Sequence, residues 1–291
     1  MSPVSAWVAA IRPKTLGLSV SPVLVGTALA VSEAHPFHLL PFLLALGAAM
    51  LIQTGTNLHN DVADFRKGTD GSDRLGPPRA TAQGWLSAEA VERGAWLAFG
   101  LAFLMGIGLA IAGGWPIVIL GLISLAAGAA YSGGPWPVSS LPVGELFVFL
   151  FFGLAAVGGS YYLQTETLSA RALLAGTIMG LPTAAVLVVN NYRDRRTDRQ
   201  AGRRTLAVLL SERGSHRVYA VLLLAPFLLL PWLFEGNQLW LLPGMLFFPA
   251  LVLVTRLRNA DDGAALNRLL AATAGLQLLL GLLLSLALLL Q

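Results

Sequence analysis

Residues 57–79, NLHNDVADFRKGTDGSDRLGPPR, set the organisation of the chain, because their composition differs from that of the sequence around them. They hold four Asp, two Asn and four basic side chains, whereas the whole chain is 56% hydrophobic and only 12% charged. The apolar run before them, PFLLALGAAMLIQTGT, is typical of a helix. A helix that continues past this run places Asn57, Asn60, Asp61 and Asp64 on one face. We expect the chemistry of the protein at the end of this helix.

A second polar stretch repeats the pattern later in the chain. Residues 190–204, NNYRDRRTDRQAGRR, follow the apolar run LPTAAVLVV. The four-residue step from Asn60 to Asp64 recurs from Asn190 to Asp194, and this step keeps side chains on one helix face. Two polar helix ends of the same kind predict a single cavity that both of them face.

The composition places the chain in a membrane. It has 291 residues, a formal net charge of +4 and no Cys, and its mean hydropathy is +0.71. Uncharged apolar runs recur at about the 20 residues that a helix needs to cross roughly 30 Å of hydrocarbon. We therefore predict an all-α polytopic membrane protein that meets lipid rather than nucleic acid. The absence of Cys excludes disulfides, thiolate catalysis and Cys-ligated metal centres.

We predict about nine transmembrane helices around a central cavity that opens to the cytoplasmic face. They lie near residues 16–34, 37–58, 92–113, 115–131, 142–163, 172–192, 216–235, 238–257 and 265–290. The two polar stretches follow the second and the sixth helix. This spacing suggests a single domain, residues 1–291, built from two parallel repeats of four helices, with the ninth helix added.

The basic residues indicate the orientation. With a cytoplasmic N-terminus, 18 of the 19 Lys and Arg residues lie at the inner face, and Arg171 alone lies outside. Such a bias follows the positive-inside rule. We expect a multi-pass protein of the plasma (inner) membrane, with its N-terminus and active site on the cytoplasmic side and no removable signal peptide.

Carboxylates at the edge of the hydrocarbon are costly unless they are paired or bind cations, so the two polar stretches predict a functional site. In the alternative interpretation, Asp and Arg of each stretch pair with one another as solvated loop charges. Carboxylate oxygens without His or Cys suit Mg²⁺, which bridges to phosphate oxygens, and Arg binds the same phosphates. A site half sunk in lipid favours a diphosphate on a long hydrocarbon tail, which describes a polyprenyl diphosphate.

An allylic diphosphate of this kind reacts by ionisation. The cation and Arg stabilise the departing diphosphate, and the allylic carbocation needs a dry pocket with electron-rich walls. The aromatic side chains that we consider as candidate walls are Phe147, Phe149, Phe151, Phe152, Tyr161 and Tyr162.

At this point the chain resembles the UbiA-type intramembrane prenyltransferases. That family carries N-D-x-x-D-x-x-x-D after its second helix and D-x-x-x-D after its sixth. Asn60, Asp61 and Asp64 match the first signature, but Gly68 stands at its last Asp and Asp70 follows. This variant resembles the branch that prenylates 1,4-dihydroxy-2-naphthoate. Further matching segments are RPKTL (12–16), YSGGP (131–135), GELFVFLFFG (144–153), YYLQT (161–165) and NNYRDRRTDRQAGRRTLAV (190–208).

The resemblance implies roles for individual residues. Catalysis would rest on Asp64, Asp194 and Asp198, and Mg²⁺ would be held by these three together with Asn60, Asp61 and Asp70. Candidate diphosphate contacts are Arg66, Lys67, Arg79, Arg193 and Arg203. Candidate acceptor contacts are Arg12, Lys14, Asn57, Tyr131, Glu145, Asn190 and Asn191. Arg12 and Lys14 are alternatively lipid anchors of the first helix, and Glu145 is alternatively a structural partner of an Arg.

The reaction implied by the resemblance joins a polyprenyl group to 1,4-dihydroxy-2-naphthoate, with loss of pyrophosphate and CO₂, and gives demethylmenaquinone. An alternative acceptor is 4-hydroxybenzoate or another quinone precursor. A transporter of organic anions is the alternative from a different class, but it predicts charged or broken helices near mid-membrane, and this chain keeps its charge at one face. The sequence does not determine the length of the isoprenoid or the oligomeric state.

Overall fold

The structure, a computed structural model, describes residues 2–68, 75–260 and 262–291. Its regular secondary structure is helical throughout the described residues. The α-helices are α1 (Pro3–Ile11), α2 (Pro13–Ser32), α3 (Leu39–Arg66), α4 (Ala88–Ala130), α5 (Gly144–Val148), α6 (Ala156–Thr165), α7 (Ala170–Gln200), α8 (Leu206–Leu209), α9 (Glu212–Leu233), α10 (Leu241–Gly244), α11 (Phe247–Arg258) and α12 (Gly263–Leu289). A π-helical segment, Phe149–Ala155, joins α5 to α6.

The number of membrane crossings agrees with the sequence prediction. In the described part of the chain, eight helical segments are long and apolar enough to span a bilayer, and α4 is the longest at 43 residues. Gly114 divides α4 because its φ of 65° lies in the left-handed region, and Pro116 follows. When its two limbs, residues 88–113 and 115–130, are counted separately, the described residues hold nine such segments, which is roughly the predicted number. The chain is a multi-pass membrane protein.

The two polar stretches extend their helices instead of ending them. α3 continues to Arg66 and α7 to Gln200, each about two turns beyond the predicted boundary. Asn60, Asp64, Asp194 and Asp198 are therefore helical residues, as the four-residue spacing requires. The two motif-bearing helix ends lie together, and we call this end of the bundle the motif face.

The core gathers around α7, which packs on α2, α9 and α12. Lipid offers no hydrophobic driving force for helix association, so close contact between small residues takes its place. Gly26 of α2 lies against the carbonyl of Val157, and Gly153 lies against Gly176 and Gly180 of α7. Gly26 thus lets α2 approach α6 at backbone distance, and Gly153, Gly176 and Gly180 do the same for the π-helical segment and α7.

Arg171, the basic residue that the sequence placed on the outer side, lies at the end of the bundle opposite the motif face. Its guanidinium pairs with Glu33 at 3.0 Å and with Glu235 at 3.7 Å. It also donates to the carbonyl of Leu233 at 3.0 Å. The isolated cation is thus neutralised by neighbouring carboxylates. The interpretation of the chain as two parallel repeats stays a prediction.

A glycine substitution tests the backbone contact at the π-helical segment. In Gly153→Ala, the new Cβ would lie 2.5 Å from the carbonyl oxygen of Gly176 and 2.7 Å from Cα of Gly180. Because neither backbone can yield easily, we expect the free energy of unfolding in detergent to fall by about 1–3 kcal/mol. Gly100→Ala is the matched control, since a Cβ there meets nothing within 4 Å. Equal stability of the two variants would contradict this packing.

Candidate active site

The ends of α3 and α7 meet through two arginines. Arg203 donates to Asp64 of α3 and, at 3.4 Å, to Asp198 of α7. Arg79, from the chain that follows α3, donates to the second carboxylate oxygen of Asp64 at 2.7 Å. Asp64 is 4% exposed, Asp198 6% and Arg79 6%, so this is a buried charge cluster. The two motifs, more than a hundred residues apart in sequence, form one site.

Asn60 completes the cluster on α3. Its amide nitrogen donates to Asp64 at 3.2 Å and to the hydroxyl of Ser132 at 2.9 Å. Its amide oxygen accepts from Arg79 at 2.7 Å and from Arg12 at 3.4 Å. Asn60 therefore links the motif to the loop after α4 and to the junction of α1 and α2.

Asp61 has a different environment from Asp64, although both belong to the same motif. It is 1% exposed and accepts from the backbone N–H groups of Ala80 and Thr81, at 3.2 and 3.3 Å, and from the hydroxyl of Thr81. These contacts hold the turn at residues 80–83 against α3. Asp64 therefore belongs to the charge cluster, whereas Asp61 binds the turn at residues 80–83.

In the second motif, Arg193 links Asp194 and Asn190 to α12. Arg193, 4% exposed, donates to Asp194 at 2.8 Å, to Asn190 at 3.0 Å and to Asn267 of α12 at 2.8 Å. Asn267 in turn donates to the carbonyl of Leu75 at 2.7 Å. Arg193 thus holds Asp194 in place and connects α7 to α12 and to the chain before Arg79.

Two predicted diphosphate contacts lie at the edge of the site. Arg66 forms an exposed pair with Glu92 of α4 at 2.6 Å, outside the charge cluster. Lys67 donates to the carbonyl of Ser132 at 3.3 Å. Partial burial and the positive charge of Arg203 lower the pKa of Lys67. Lys67 therefore faces the cluster, whereas Arg66 does not.

Gly68 explains the departure from the family motif. Its φ of +66° lies in the left-handed region, and its N–H donates to the carbonyl of Phe65 at 3.0 Å, so α3 has ended. A residue at position 68 is off the helix and does not continue the face of Asn60 and Asp64. Asp70, the predicted substitute ligand, lies outside the described residues.

A cavity of about 650 Å³ reaches Asn60 of the charge cluster and runs into the membrane-spanning part of the bundle. The polar lining at the motif face comes from Arg12, Asn57, Asn60, Tyr131 and Asn190. The remaining wall is mostly apolar. Among the candidate aromatic walls, Phe147, Phe151 and Phe152 line the cavity, whereas Phe149, Tyr161 and Tyr162 lie outside its lining.

The predicted acceptor residues separate into three groups. Arg12, Asn57, Tyr131 and Asn190 line the cavity, and Asn57 donates to the carbonyl of Ile11 at 2.9 Å. Glu145, 6% exposed, accepts from Asn191 at 2.9 Å, and this buried pair packs α5 against α7 outside the cavity lining. Lys14 is exposed near the beginning of α2.

Tyr131, the residue that caps the C-terminal end of α4, lines the cavity. Burial and the negative charges of Glu145 and Asp64 raise the pKa of Tyr131. Its phenol therefore keeps its proton and remains a hydrogen-bond donor at neutral pH. The ring packs on Phe147 with centroids 5.8 Å apart.

The donor set fits a hard cation. The amide oxygen of Asn60 and the carboxylates of Asp64, Asp194 and Asp198 are oxygen ligands, which Mg²⁺ prefers. Within the described residues, no three His, Asp or Glu side chains form a ready-made metal cluster. Arg79 and Arg203 lie between these oxygens instead, and their cationic groups satisfy the same need for positive charge.

Sequence reasoning missed several partners of the site. Ser132 contacts both Asn60 and Lys67, Thr81 binds Asp61, and Asn267 binds Arg193. Ser132 lies in the YSGGP segment, which resembles the family but gave no role for this hydroxyl. Nothing in the sequence around Asn267 indicates a role in the site, because this residue reaches the site only through the packing of α12.

Comparison with known proteins agrees with this architecture. The family model described as the UbiA prenyltransferase family matches residues 19–279. The chain is 38% identical over 264 residues to the 1,4-dihydroxy-2-naphthoate octaprenyltransferase of Escherichia coli (strain K12), covering 88% of this chain and 84% of that protein. It is 35% identical to the enzyme of the same name from Mycobacterium tuberculosis, covering 77% of this chain and 76% of that protein.

Solved structures share the fold at low sequence identity. A UbiA homolog from Archaeoglobus fulgidus bound to GPP and Mg²⁺ superposes with a TM-score of 0.70 at 15% identity, and the match covers 98% of this chain and 100% of that one. The family match, which spans nearly the whole membrane-embedded part, and the identities to bacterial relatives lead to one conclusion. The chain belongs to the UbiA prenyltransferase family.

Proposed function

We propose that this protein transfers a polyprenyl group from polyprenyl diphosphate to 1,4-dihydroxy-2-naphthoate. The observation that carries the proposal is the buried cluster of Asp64, Arg203 and Asp198, which Asn60 connects to the polar end of a long apolar cavity. A charged head and a hydrocarbon tail fit such a space together. The names of the bacterial relatives support the naphthoate acceptor.

The charge cluster is the site that we assign to the diphosphate. Asn60 and Asp64 on α3, and Asp194 and Asp198 on α7, would hold Mg²⁺, which neutralises diphosphate oxygens when bound. Asp70 remains an additional candidate ligand. In our assignment Asp61 positions the turn at residues 80–83 and does not bind the metal.

Arginine supplies the remaining positive charge. Arg203 contacts both motifs and Arg79 contacts the first. Their planar guanidinium groups suit bidentate contact with phosphate. When the diphosphate and its cation enter, these side chains exchange carboxylate partners for phosphate oxygens. Lys67 adds a cation at the same edge, and Arg193 fixes Asp194.

The acceptor fits the other polar groups of the cavity. We propose that Arg12 meets the carboxylate of the naphthoate and that Tyr131 donates to one of its hydroxyl groups. Asn190 lies on the same wall, and Asn57 holds the α1–α2 junction that presents Arg12. Glu145 and Asn191 form the buried pair behind this wall. Lys14 anchors α2 to lipid headgroups.

The bond changes follow from this arrangement. The allylic C–O bond breaks and its electron pair leaves with the diphosphate, while the walls of Phe147 and Phe151 stabilise the allylic cation and exclude water. The naphthoate carbon that bears the carboxylate forms the new C–C bond. The bond from this carbon to the carboxylate then breaks, CO₂ leaves, and the electron pair of that bond restores the aromatic ring. The product is the prenylated naphthoquinol, the reduced form of demethylmenaquinone, and both of its hydroxyl groups keep their protons.

The distribution of charge supports the orientation that we propose. All Lys and Arg residues except Arg171 lie in segments that we assign to the motif face, and the positive-inside rule favours a cytoplasmic side for such a face. We therefore propose a plasma (inner) membrane protein with the N-terminus and active site on the cytoplasmic side. Both substrates would then enter from the inner leaflet or the cytosol.

A membrane assay with two acceptors tests the proposal. Vesicles that contain the protein receive Mg²⁺, labelled octaprenyl diphosphate and either 1,4-dihydroxy-2-naphthoate or 4-hydroxybenzoate. We expect a prenylated naphthoquinol and release of CO₂ in the first tube, and no product with EDTA. Product only from 4-hydroxybenzoate would change the acceptor, and identical blanks with Mg²⁺ and EDTA would contradict prenyl transfer itself.

Neutralising one carboxylate of each motif tests the metal assignment. We expect Asp64→Asn and Asp194→Asn to lower kcat by about a hundredfold or more, because each removes negative charge needed at the cation. Each new amide keeps one acceptor oxygen but turns its NH₂ group toward a guanidinium. Circular dichroism in detergent checks that both variants remain folded. Steady-state kinetics with saturating Mg²⁺ measure the effect, and wild-type turnover in both variants would overturn the assignment.

Asp61→Asn gives the contrasting result. Its carboxylate accepts two backbone N–H groups and a hydroxyl, so an amide NH₂ turned toward them leaves buried donors without an acceptor. We expect the free energy of unfolding to fall by about 1–3 kcal/mol. The Mg²⁺ concentration needed for half-maximal activity should stay that of wild type. Unchanged stability together with a raised Mg²⁺ requirement would instead make Asp61 a ligand.

A further inference from the structure

A second, smaller cavity lies at the end of the bundle opposite the motif face. Its volume is about 250 Å³, and five of the residues that line it are polar, namely His35, His38, Gln164, Thr165 and Glu166. His38 and Glu166 are exposed, so this space opens to solvent. Because one water molecule takes up about 30 Å³ of liquid water, several fit into it. We call this space the outer pocket.

The outer pocket begins a short distance beyond the end of the large cavity. On α3, Ala45 lines the cavity and Pro41 lines the pocket. On the limb 88–113 of α4, Ala110 lines the cavity and Ala112 lines the pocket. Steps of two to four residues are only about 3–6 Å along a helix. Among the residues that the structure describes, Leu163 of α6 is the one that lines both spaces.

Leu163 lies in an apolar layer between the two spaces. It is 8% exposed and forms a buried cluster with Ala48, Leu109 and Ile117. A Cβ on Gly113 would lie 3.2 Å from Cδ2 of Leu163, so the leucine side chain occupies room that this glycine leaves. None of these four clustered side chains has a polar atom that binds water. The layer is therefore narrow and dry.

Gln164 fixes the end of α6 directly beyond this layer. Its amide oxygen accepts from the backbone N–H of His38 at 2.7 Å, and its amide nitrogen donates to the carbonyl of His38 at 3.2 Å. Gln164 is 3% exposed, so both hydrogen bonds are buried. They hold α6 against the beginning of α3. In the YYLQT segment, one residue thus joins the two helices, and the residue before it separates the two spaces.

The length of the large cavity makes this layer important. On α3 the cavity lining extends from Ala45 to Asn60, which is about 22 Å along the helix. The hydrocarbon of a bilayer is only roughly 30 Å thick. Arg12 and Asn60 place polar groups at the cavity end near the motif face. Most of the barrier between the two sides of the membrane therefore depends on the layer around Leu163.

We propose that Leu163 is a hydrophobic seal that separates the outer pocket from the central cavity and keeps the protein from conducting protons across the membrane. A narrow apolar constriction expels water, and a dry constriction blocks the passage of ions and protons. A polar or shorter side chain at this position would let water connect the outer pocket to the cavity. The inference does not depend on the reaction that the cavity supports.

Proton permeation in proteoliposomes tests the seal. The vesicles contain a pH-sensitive dye, the external pH is changed in one step, and valinomycin with K⁺ cancels the membrane potential. Leu163→Ser shortens the side chain and adds a hydroxyl, whereas Leu163→Met keeps it long and apolar. Leu168→Ser is the matched control, because Leu168 is 57% exposed and lies outside both linings.

We expect Leu163→Ser to raise the rate of proton entry at least about tenfold over wild type, because the constriction becomes wettable. Leu163→Met and Leu168→Ser should stay within about twofold of wild type. Equal rates for Leu163→Ser and Leu168→Ser would overturn the proposal. So would an equal increase in Leu163→Met, since that variant keeps an apolar side chain in the layer.

Thiol labelling tests the same barrier with Leu163 in place, so it does not require a Leu163 variant to fold. The chain contains no Cys, and each introduced thiol is therefore labelled alone. Thr165→Cys lies in the outer pocket, and Ser160→Cys lines the cavity about one turn nearer the motif face. A charged methanethiosulfonate reagent is applied separately to right-side-out and to inverted membrane vesicles.

From the side on which Thr165→Cys reacts, we expect Ser160→Cys to react at least about a hundredfold more slowly, because a charged reagent does not cross a dry layer. Equal rates from that side would contradict the seal. If Thr165→Cys reacts from neither side, the outer pocket is closed to water, and the proposal fails as well. Both measurements are independent of prenyl transfer, so failure of the proposed function would leave their result unchanged.

Discussion

Charge placed at the edge of the hydrocarbon must be neutralised, and this requirement governs the arrangement of α3 and α7. Asp64 and Asp198 are nearly inaccessible, and an unpaired buried carboxylate costs several kcal/mol. Arg203 reaches both, and Arg79 adds a second guanidinium to Asp64. The two helix ends, the chain before α4 and the chain after α7 are thereby fixed to one another. The same need for positive charge is what a divalent cation would satisfy.

The apolar part of the structure complements this cluster. Close glycine contacts bring the π-helical segment against α7, and Phe147, Phe151 and Phe152 face the cavity from that region. Water is scarce along such a wall, so electrostatic effects from the motif face are stronger than in solvent. The same helices therefore form a polar site for the head group of an amphiphilic substrate and an apolar space for its tail. Because the two lie at different ends of the cavity, they fix the direction in which such a substrate binds.

The sequence predicted the membrane class, the number of crossings and the meeting of the two motifs, because hydropathy and a four-residue step determine them. Helical geometry could also have predicted that Arg66 points away from the site. Two residues after Asp64, Arg66 is about 200° around the helix and so points to Glu92 instead. Asp61 and Asp64 are only about 60° apart, and helical spacing cannot separate their roles. The turn at residues 80–83 decides that difference, and its position depends on tertiary packing. The contacts of Ser132 and Asn267 depend on such packing as well.

The most direct test of the central claim, that the buried carboxylates and arginines form a cation-dependent diphosphate site, is a binding measurement without turnover. Geranyl S-thiolodiphosphate, a donor analogue that ionises poorly, would be titrated calorimetrically into purified protein with Mg²⁺ and with EDTA. A site of this kind predicts an affinity at least about tenfold higher with Mg²⁺, a difference of roughly 1.4 kcal/mol. Equal affinity with and without the cation would contradict it.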